Sequence, residues 1–184
     1  VGRRRSTTRD HIADIALVAA RHDDSIGLFV VDLQAAGVQR ARLSTIDPSR
    51  GQAQLSFEAV PAEAIPGGNW PLIESALDRA AVLLAFEQIG GAQQALDMAR
   101  AYSRERFAFG RAIGSFQALQ HKLVDMYVGL VLARSNCYYA AWAMANDAEA
   151  LAEAAAAARI SASQAYKLCA RENIQVHGGS GFAW

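Results

Sequence analysis

The sequence has few cysteines, few prolines and no surplus of either charge. Its 184 residues include two cysteines and four prolines, and 18 basic side chains balance 18 acidic ones. Both cysteines fall within apolar helical patterns, which indicates reduced thiols in a cytoplasmic protein rather than a disulfide or a metal site. The balanced charge argues against nucleic acid or an anionic membrane as a partner. No apolar run approaches the roughly 20 residues that span a membrane.

The remaining composition is that of an ordinary soluble protein, with 52% apolar residues and enough length to bury a core. Up to about residue 66 the pattern is that of a β domain, because short runs rich in Val, Ile, Leu and Phe alternate with turn clusters. These runs are residues 12–20, 26–33, 38–43 and 52–60. They predict an antiparallel piece of a sandwich or barrel. Its edges would be exposed, so we expect part of this domain to be absent. The arginines at residues 3–5 are expected to be solvated.

From Asn69 onward the pattern becomes helical. Asn69 can cap a first helix that is expected to end near Tyr102. Ser115 follows a glycine-broken loop and is predicted to cap the second helix. Asn146 followed by Glu149 is a capping box that predicts the start of a third helix.

Apolar residues in the second and third helices recur at alternating steps of four and three residues, which is typical of helices packed almost antiparallel. The sequence therefore predicts an α+β fold in which a partial antiparallel β domain precedes an antiparallel helical bundle. We assign residues 1–68 to the first domain and residues 69–184 to the second, which is expected to be truncated before its last helix. No strand is expected beyond residue 70.

Residues 102–117 read YSRERFAFGRAIGSFQ and form the first segment whose residues could bind a ligand. Arg106 stands at the end of a helix, where a guanidinium can hold a phosphate through two hydrogen bonds. A neighbouring aromatic residue can pack on a planar ring. From these residues alone, the alternative that Arg106 only complements the helix dipole stays open.

Residues 172–182 read ENIQVHGGSGF and form the second segment. Glycine lets the main chain approach a ligand and offer its N–H groups. A helix C-cap would explain one glycine, but three glycines within one turn exceed that need.

Together the two segments resemble the flavin-binding signatures of the acyl-CoA dehydrogenase family. The resemblance covers nearly the whole chain, from the later strands of the family's middle β domain through most of its C-terminal helical domain. It implies an FAD-dependent oxidoreductase of fatty-acid or lipid catabolism that acts on an acyl-CoA. It also implies that Arg106 binds the FAD pyrophosphate, that Phe109 lies against the adenosine half, and that Gln117 contacts FAD.

The second segment is implied to reach an FAD that is bound mainly by a neighbouring subunit. The residues concerned are Gln175, Val176, His177, Gly178 and Gly179. His177 is expected to be a spacer beside the cofactor rather than a proton carrier. The resemblance thus implies a homodimer or homotetramer, with a hetero-oligomer also open, and electron-transfer flavoprotein as the acceptor.

The second helix carries apolar residues on two faces, which is more than one neighbour requires. Leu123 and Met126 lie on one face, and Val124, Val128 and Leu132 lie on the other. This width agrees with an oligomer that assembles through the helical domain.

The resemblance leaves the catalytic base unassigned. Most members place their catalytic glutamate beyond the glycine loop, outside this chain, so we expect the chain to be a fragment. A few members place it on the first helix before an arginine, as in Asp78 followed by Arg79. That pair lies two positions too early, which turns a helical side chain by about 200°. Asp78 is therefore expected to be a solvated acid of the first helical turn. Glu87 is a candidate for a buried carboxylate, and we assign no base.

One other function stays open from the sequence. The chain could be a non-catalytic partner subunit or a truncated chain of a flavin-containing assembly. A plain helical bundle without a cofactor is disfavoured by the two matched segments. The acyl group is not readable, although Ala76, Ala80 and Ala81 would leave room for a bulky one if they line its pocket.

Overall fold

The computed structural model of this chain describes residues 2–5, 13–47 and 51–183. The chain divides into two compact units, residues 1–74 and 75–184. The boundary falls inside the first helix, whereas the sequence places the change of domain at residue 69, where the helical pattern begins. The domain assignment stays a prediction, and each unit is described by itself.

The first unit consists of two three-stranded antiparallel sheets with the strand orders β1-β5-β4 and β2-β3-β6. The strands are β1 (Gly2–Arg5), β2 (Ile15–His22), β3 (Ser25–Asp32), β4 (Val38–Leu43), β5 (Gln52–Phe57) and β6 (Glu63–Ala64). The four predicted runs each supply one strand, although the first run begins outside the described residues. The sequence did not predict β1, whose backbone pairs with β5 from Gly2 opposite Phe57 to Arg5 opposite Gln54. A run of arginines has no alternation of apolar and polar residues that would predict a strand, and its pairing partner is distant in the sequence.

The core of the first unit is small and is supported by one arginine. The buried apolar residues are Val31, Leu33, Ala53 and Leu55. Arg40 on β4 donates to the carbonyls of Ala13 and Leu33 over 2.8 and 2.7 Å. Because these carbonyls flank β2 and β3, the guanidinium joins the two sheets.

The second unit is helical, and with it the predicted α+β class is confirmed. Its elements begin with α1 (Trp70–Glu105) and continue through β7 (Phe107–Ala108), β8 (Arg111–Ala112), a 3₁₀ turn (Ile113–Ser115), α2 (Gln117–Asn146), α3 (Leu151–His177) and α4 (Gly179–Phe182). The expectation of no strand beyond residue 70 was wrong in one detail, because β7 and β8 pair as a small hairpin. That pairing is local to the loop between α1 and α2.

One of the three predicted helix caps is present. The side chain of Asn69 accepts a hydrogen bond from the N–H of Leu72 over 3.1 Å, as an N-cap should. Ser115 was predicted to cap α2, and this was wrong. Its hydroxyl donates to the carbonyl of Ala112 within the 3₁₀ turn, and Phe116 occupies the N-cap position without a side-chain hydrogen bond.

The predicted capping box before α3 was also wrong. Asn146 is the last residue of α2, and its amide donates to the carbonyl of Trp142 over 2.9 Å. Asp147 caps the turn that leads into α3 instead, because its Oδ1 accepts the N–H groups of Glu149 and Ala150, both over 3.1 Å. Ala150, the residue directly before α3, forms no capping hydrogen bond with its side chain. Asn and Asp are nearly equivalent as caps, so the local sequence could not choose between two neighbours.

Small side chains allow α2 and α3 to pack closely. The buried residues on their facing sides include Ala133, Cys137, Ala140 and Ala143 on α2, and Ala154, Ala155, Ala158, Ala162, Ala165 and Cys169 on α3. Both cysteines are free, and burial raises the pKa of each thiol. They are therefore protonated small hydrophobes, as the sequence predicted.

Polar and aromatic side chains connect α1 to the other two helices. Arg159 on α3 donates to the side chain of Gln88 over 2.5 Å, and Arg134 on α2 donates to that of Gln93 over 2.6 Å. The ring of Tyr166 on α3 lies directly over Gly91, where an added Cβ would come within 2.9 Å of it. Gly91 is thus needed for the packing of this ring.

Candidate functional site

The end of α1 places Arg106 at the base of a hairpin. The N–H of Arg106 donates to the carbonyl of Tyr102 over 2.9 Å, which continues the helical pattern past Glu105. Its carbonyl accepts the N–H of Ile113 over 2.8 Å, where the hairpin closes. The backbone of Arg106 is therefore fixed on both sides.

The side chain of Arg106 is exposed. Within the part of the chain that the structure describes, no carboxylate lies within ion-pair distance of its guanidinium. An exposed, unpaired guanidinium on a fixed backbone can bind an anion without first breaking an internal ion pair.

The tip of the hairpin is a strained turn. Phe109 and Gly110 have φ angles of 54° and 80°, as a two-residue type I′ hairpin requires. A positive φ suits Gly110 but is costly for an aromatic residue. The side chain of Phe109 is nonetheless 95% exposed, so burial in the core does not offset the strain.

One aromatic neighbour orients Phe109. The ring of Phe116 meets it edge to face, with 6.3 Å between ring centroids. The guanidinium carbon of Arg111 lies 3.9 Å from the centroid of Phe116, a cation–π contact. This cluster leaves most of Phe109 open to a planar ring from outside the chain.

Gln117 is the first residue of α2 and is exposed. Since Phe116 caps this helix without a side-chain hydrogen bond, the first N–H groups of α2 have no side-chain acceptor from the cap. The positive end of the helix dipole lies there as well. Gln117 thus stands among donors that suit a negatively charged or carbonyl group.

The end of α3 holds the second predicted segment, and its members differ in what they can offer. The side chain of Gln175 is exposed and that of Val176 is 6% exposed, within the core. Any contact of Val176 with a ligand would come from its main chain. His177 is half-buried, and its Nδ1–H donates to the carbonyl of Asn173 over 2.8 Å.

The three glycines after His177 have different reasons to be glycine. Gly178 has φ 57° and ψ −134°, which side chains disfavour. At Gly181 an added Cβ would come within 2.5 Å of the carbonyl of Ile174. Gly179 has neither constraint, since its φ is not positive and no described atom lies within 4 Å of an added Cβ. The open main chain at Gly179 can be approached closely from outside.

An aromatic stack brings the two segments together. The rings of Tyr102 on α1 and His177 on α3 lie 4.1 Å apart between centroids, at 24° to each other. The hairpin after Tyr102 and the glycines after His177 therefore lie at the same end of the helical unit. The sequence did not predict a role for Tyr102, although an aromatic residue one turn before Arg106 was a visible signal.

A buried carboxylate holds the end of α3 against α2. Glu172 is 7% exposed and forms ion pairs with Lys122 on α2 and with its neighbour Arg171. The hydrogen bond from Lys122 lowers the pKa of Glu172, and Arg171 contributes a smaller effect in the same direction. The ion pair of Lys122 with Glu172 fixes the helical turn that precedes Gln175.

Neither candidate for a catalytic base is supported by its position. Glu87 was expected to be buried, and this was wrong. It is exposed, because it lies between the inward-facing Ala85 and Ile89 on the outer side of α1. Asp78 is half-buried and lies in the third turn of α1 rather than the first.

Two other kinds of feature are absent from the described ranges. No group of three or more His, Cys, Asp or Glu side chains is arranged to hold a metal ion in the part of the chain that the structure describes. Over the same residues, no helix has the length and apolar character needed to cross a membrane.

The arrangement fits a ligand that carries both phosphate and a planar ring. A free guanidinium, the uncapped start of α2 and the open main chain at Gly179 supply donors for an anion. The exposed, strained Phe109 supplies a face for a ring. These groups lie in three segments that the fold of the helical unit fixes relative to one another.

Comparisons with known proteins identify the family to which the chain is similar. Residues 67–184 match the family model described as acyl-CoA dehydrogenase, C-terminal domain. The chain is 41% identical over 143 residues to acyl-CoA dehydrogenase IpdE2 of Mycobacterium tuberculosis, which covers 77% of this chain and 41% of that protein. It is 31% identical over 193 residues to the caffeyl-CoA reductase-Etf complex subunit CarC of Acetobacterium woodii, covering 98% of this chain and 51% of that protein.

Solved structures give the same result. A variant of the Tcur3481-Tcur3483 steroid ACAD matches with a TM-score of 0.83 and 34% identity, over 92% of this chain and 46% of that chain. The chain thus spans about two fifths to a half of the length of these relatives. The matches are to enzymes, and they do not favour the alternative of a non-catalytic subunit.

Proposed function

The chain belongs to the acyl-CoA dehydrogenase family, a flavin-dependent class of oxidoreductases, and from this premise we propose that the whole protein is an FAD-dependent acyl-CoA dehydrogenase. Its reaction would be the α,β-dehydrogenation of an acyl-CoA thioester to the 2,3-enoyl-CoA. The observation that carries the proposal is the exposed Phe109, held with a positive φ near Arg106, which has no ion-pair partner among the described residues. The positive φ of Phe109 costs free energy, and the guanidinium of Arg106 forms no ion pair with the described residues. Both features would help to bind a dinucleotide.

Each predicted site residue would have a distinct task. Arg106 would bind the pyrophosphate of FAD, Phe109 would pack on the adenosine half, and Gln117 would hydrogen-bond the cofactor from the start of α2. The segment of residues 175–179 would contribute the amide of Gln175 and main-chain groups from Val176 to Gly179. Their common location at one end of the helical unit supports a single cofactor rather than two ligands.

When bound, FAD supplies the acceptor for the β-hydride of the thioester. The α-proton needs a positioned carboxylate. Glu87 is exposed and Asp78 half-buried. The buried Glu172 is held in ion pairs with Lys122 and Arg171, so none of these three is suited to the task. We therefore propose that the base comes from a part of the whole protein that this chain does not include. Binding of the cofactor, rather than proton transfer, would be the task of the residues described above.

We propose a bulky, polycyclic acyl-CoA as the substrate. The name of one solved relative describes a steroid ACAD, and this chain carries the small residues Ala76, Ala80 and Ala81 on α1, two of which are exposed. An exposed alanine stretch leaves space next to α1 that a larger side chain would fill. The hypothesis rests on this space and on that relative.

We further propose an oligomer and an electron-transfer flavoprotein as partners. On α2, Met126 is fully buried, whereas Val124, Val128 and Leu132 are about half exposed or more. An apolar face of this kind on a helix that already has a buried side supports contact with another subunit. The relative CarC is named as a subunit of an Etf complex, which supports electron-transfer flavoprotein as acceptor and leaves a hetero-oligomer open.

Two smaller assignments remain proposals. Residues 1–68 would be part of a middle β domain and residues 69–184 part of a C-terminal helical domain, with the family match over residues 67–184 in support. A cytoplasmic location is supported by two buried cysteines that form no disulfide.

The whole protein, purified with any partner it requires, tests the proposal by its visible absorption spectrum. We expect the two bands of an oxidised flavin, and we expect them to bleach without oxygen when a steroid-derived acyl-CoA is added. Mass spectrometry should then find the thioester lighter by two hydrogen atoms. A straight-chain acyl-CoA of similar mass is the matched control for the substrate hypothesis. A colourless protein that leaves both thioesters unchanged would refute the proposed function.

A further inference from the structure

We propose that Tyr102 is a positioning residue for the cofactor site, and that it acts through the ring of His177. The inference rests on the proposed function, because it concerns the same FAD site. Tyr102 would not touch the cofactor. It would set the distance and angle between the Arg106 hairpin on one side and the Gly178–Gly179 main chain on the other.

The backbone of Tyr102 is connected directly to the hairpin. Its carbonyl accepts the N–H of Arg106 over 2.9 Å, so the two residues are separated by a single helical turn. Next to it, Ser103 is buried against Gly114, where an added Cβ would come within 2.9 Å of the Ser103 carbonyl. A shift at Tyr102 would therefore move the start of the hairpin and the segment that leads into α2.

The ring of Tyr102 is connected equally directly to the glycine segment. It stacks on His177 with 4.1 Å between centroids, while the imidazole is fixed by its hydrogen bond to the carbonyl of Asn173. Gly178 follows at once with φ 57°. The direction of the main chain at Gly178 and Gly179 thus depends on where the His177 ring is held.

The stack connects the two segments directly through their side chains. Val176 next to it is buried in the core, and Gln175 points outward. Without the Tyr102 ring, the last turn of α3 would keep its attachment to α2 through Glu172 and Lys122 but would lose its ring contact with α1. The two halves of the site would then be held less firmly in their relative position, which lowers the affinity for a cofactor that must contact both.

Tyr166 provides a matched control. It is also a tyrosine that joins α1 and α3, since its ring lies over Gly91. Gly91 and Tyr102 are 11 residues apart on α1, which is about 16 Å along the helix. Loss of the Tyr166 ring removes a contact between the same two helices without touching the site.

The experiment compares Tyr102→Leu, Tyr102→Phe and Tyr166→Leu in the whole protein. FAD affinity is measured by titrating each apoprotein while recording the quenching of flavin fluorescence, and Tm is measured on the same samples. We expect Tyr102→Leu to weaken FAD binding about tenfold, as the loss of one stacked ring pair allows. Tyr102→Phe keeps the ring and should remain within about twofold of wild type. Tyr166→Leu should lower Tm at least as much as Tyr102→Leu, with unchanged FAD affinity.

A second set of variants tests whether Tyr102 acts through His177. His177→Leu should also weaken FAD binding about tenfold, and the double variant should weaken it about tenfold rather than a hundredfold, because both changes remove the same stack. Strictly multiplicative effects would overturn the inference, as would equal affinities of wild type and Tyr102→Leu. Equal FAD losses in Tyr102→Leu and Tyr166→Leu would reduce Tyr102 to a structural residue.

The outcomes also separate this inference from the proposed function. A wild-type protein that binds no FAD would refute both. A wild-type protein that binds FAD and loses it through Arg106→Ala, but not through Tyr102→Leu, would refute the inference about Tyr102 alone.

Discussion

The two loops of the helical unit are built in opposite ways. The loop of residues 147–150 pairs its own polar groups, because Asp147 accepts the N–H groups of Glu149 and Ala150 and its own N–H donates to the carbonyl of Ala143 over 2.9 Å. The loop of residues 106–116 has a guanidinium at Arg106 with no ion-pair partner among the described residues, a strained Phe109 that is 95% exposed, and no side-chain hydrogen bond at the N-cap of α2. The first loop pairs its polar groups within the chain, whereas the second leaves donors available to a ligand.

The difference separates the residues that stabilise the fold from the residues that are available to bind a ligand. A loop that satisfies its own polar groups contributes to the free energy of folding, and changing it should affect little else. A loop with strain and unused donors contributes less to folding and more to binding. Variants on each side should therefore change one quantity and leave the other unchanged.

The largest expected effect is on the binding side. Arg106→Ala removes a charge-assisted contact worth about 1.5–3 kcal/mol, so FAD affinity should fall roughly ten- to a hundredfold. Arg106→Lys should restore part of it, because an ammonium lacks the planar fork. Flavin-to-protein ratios and fluorescence titration of the whole protein measure both.

Arg104→Ala is the matched control for this variant. Arg104 is exposed in the last turn of α1 and offers the same charge to the helix dipole. Should Arg104→Ala and Arg106→Ala lose equal amounts of flavin, Arg106 would be a dipole residue and not a phosphate ligand.

The next effect concerns the end of α3, which lies near the loop of residues 106–116. Glu172→Gln keeps the shape of the side chain but loses the charge that Lys122 and Arg171 pair with. We expect a loss of about 1–2 kcal/mol of unfolding free energy at neutral pH, since both partners are partly exposed.

The pH dependence gives this variant a specific signature. Because the pKa of Glu172 is lowered in the folded chain, its stabilisation is complete above its ordinary value of 4.5 and is lost as pH falls through the lower folded value. Wild type should therefore lose more stability on acidification below that point than Glu172→Gln does. Denaturant unfolding of both at several pH values measures the difference, and parallel curves would contradict it.

Phe109 allows strain and binding to be separated at one position. Phe109→Ala and Phe109→Gly both remove the ring, and both should weaken FAD binding by a similar factor of about ten. Phe109→Gly should be about 1 kcal/mol more stable than Phe109→Ala, because only glycine adopts φ 54° without strain. Thermal unfolding decides this, and a more stable alanine variant would show that the turn is relaxed.

The smallest expected effect is in the loop of residues 147–150. Asp147→Ala removes the acceptor for the N–H groups of the turn before α3 and should cost about 0.5–1 kcal/mol of stability with no change in FAD affinity. Asp147→Asn keeps the acceptor and should remain close to wild type. A change of flavin content in either variant would mean that the two loops are less independent than their structures indicate.

The sequence predicted the elements of this chain better than their connections. Hydrophobic period alone placed the helices and four of the strands, because each element shows a repeating face to the core. The caps depended on single residues, and two neighbours with equal capping chemistry, Asn146 and Asp147, could not be separated. The pairing of β1 with β5 needed a partner about 50 residues away, which no local pattern records.

The candidate site shows the same limit. Arg106 and the glycine segment were visible because each breaks a helical pattern. The stack of Tyr102 on His177 was not predicted, since the two residues are 75 positions apart and meet only when α1 and α3 end side by side. Val176 was predicted from its neighbours in the segment, and only the fold reveals that its side chain belongs to the core.

The two cysteines provide a chemical measure of how often the helical core opens. Cys137 and Cys169 are fully buried on α2 and α3, and alkylating reagents attack the thiolate, whose formation burial opposes here. Modification therefore requires that α2 and α3 first separate. The rate of alkylation in native buffer would report the free energy of that local opening without any introduced label.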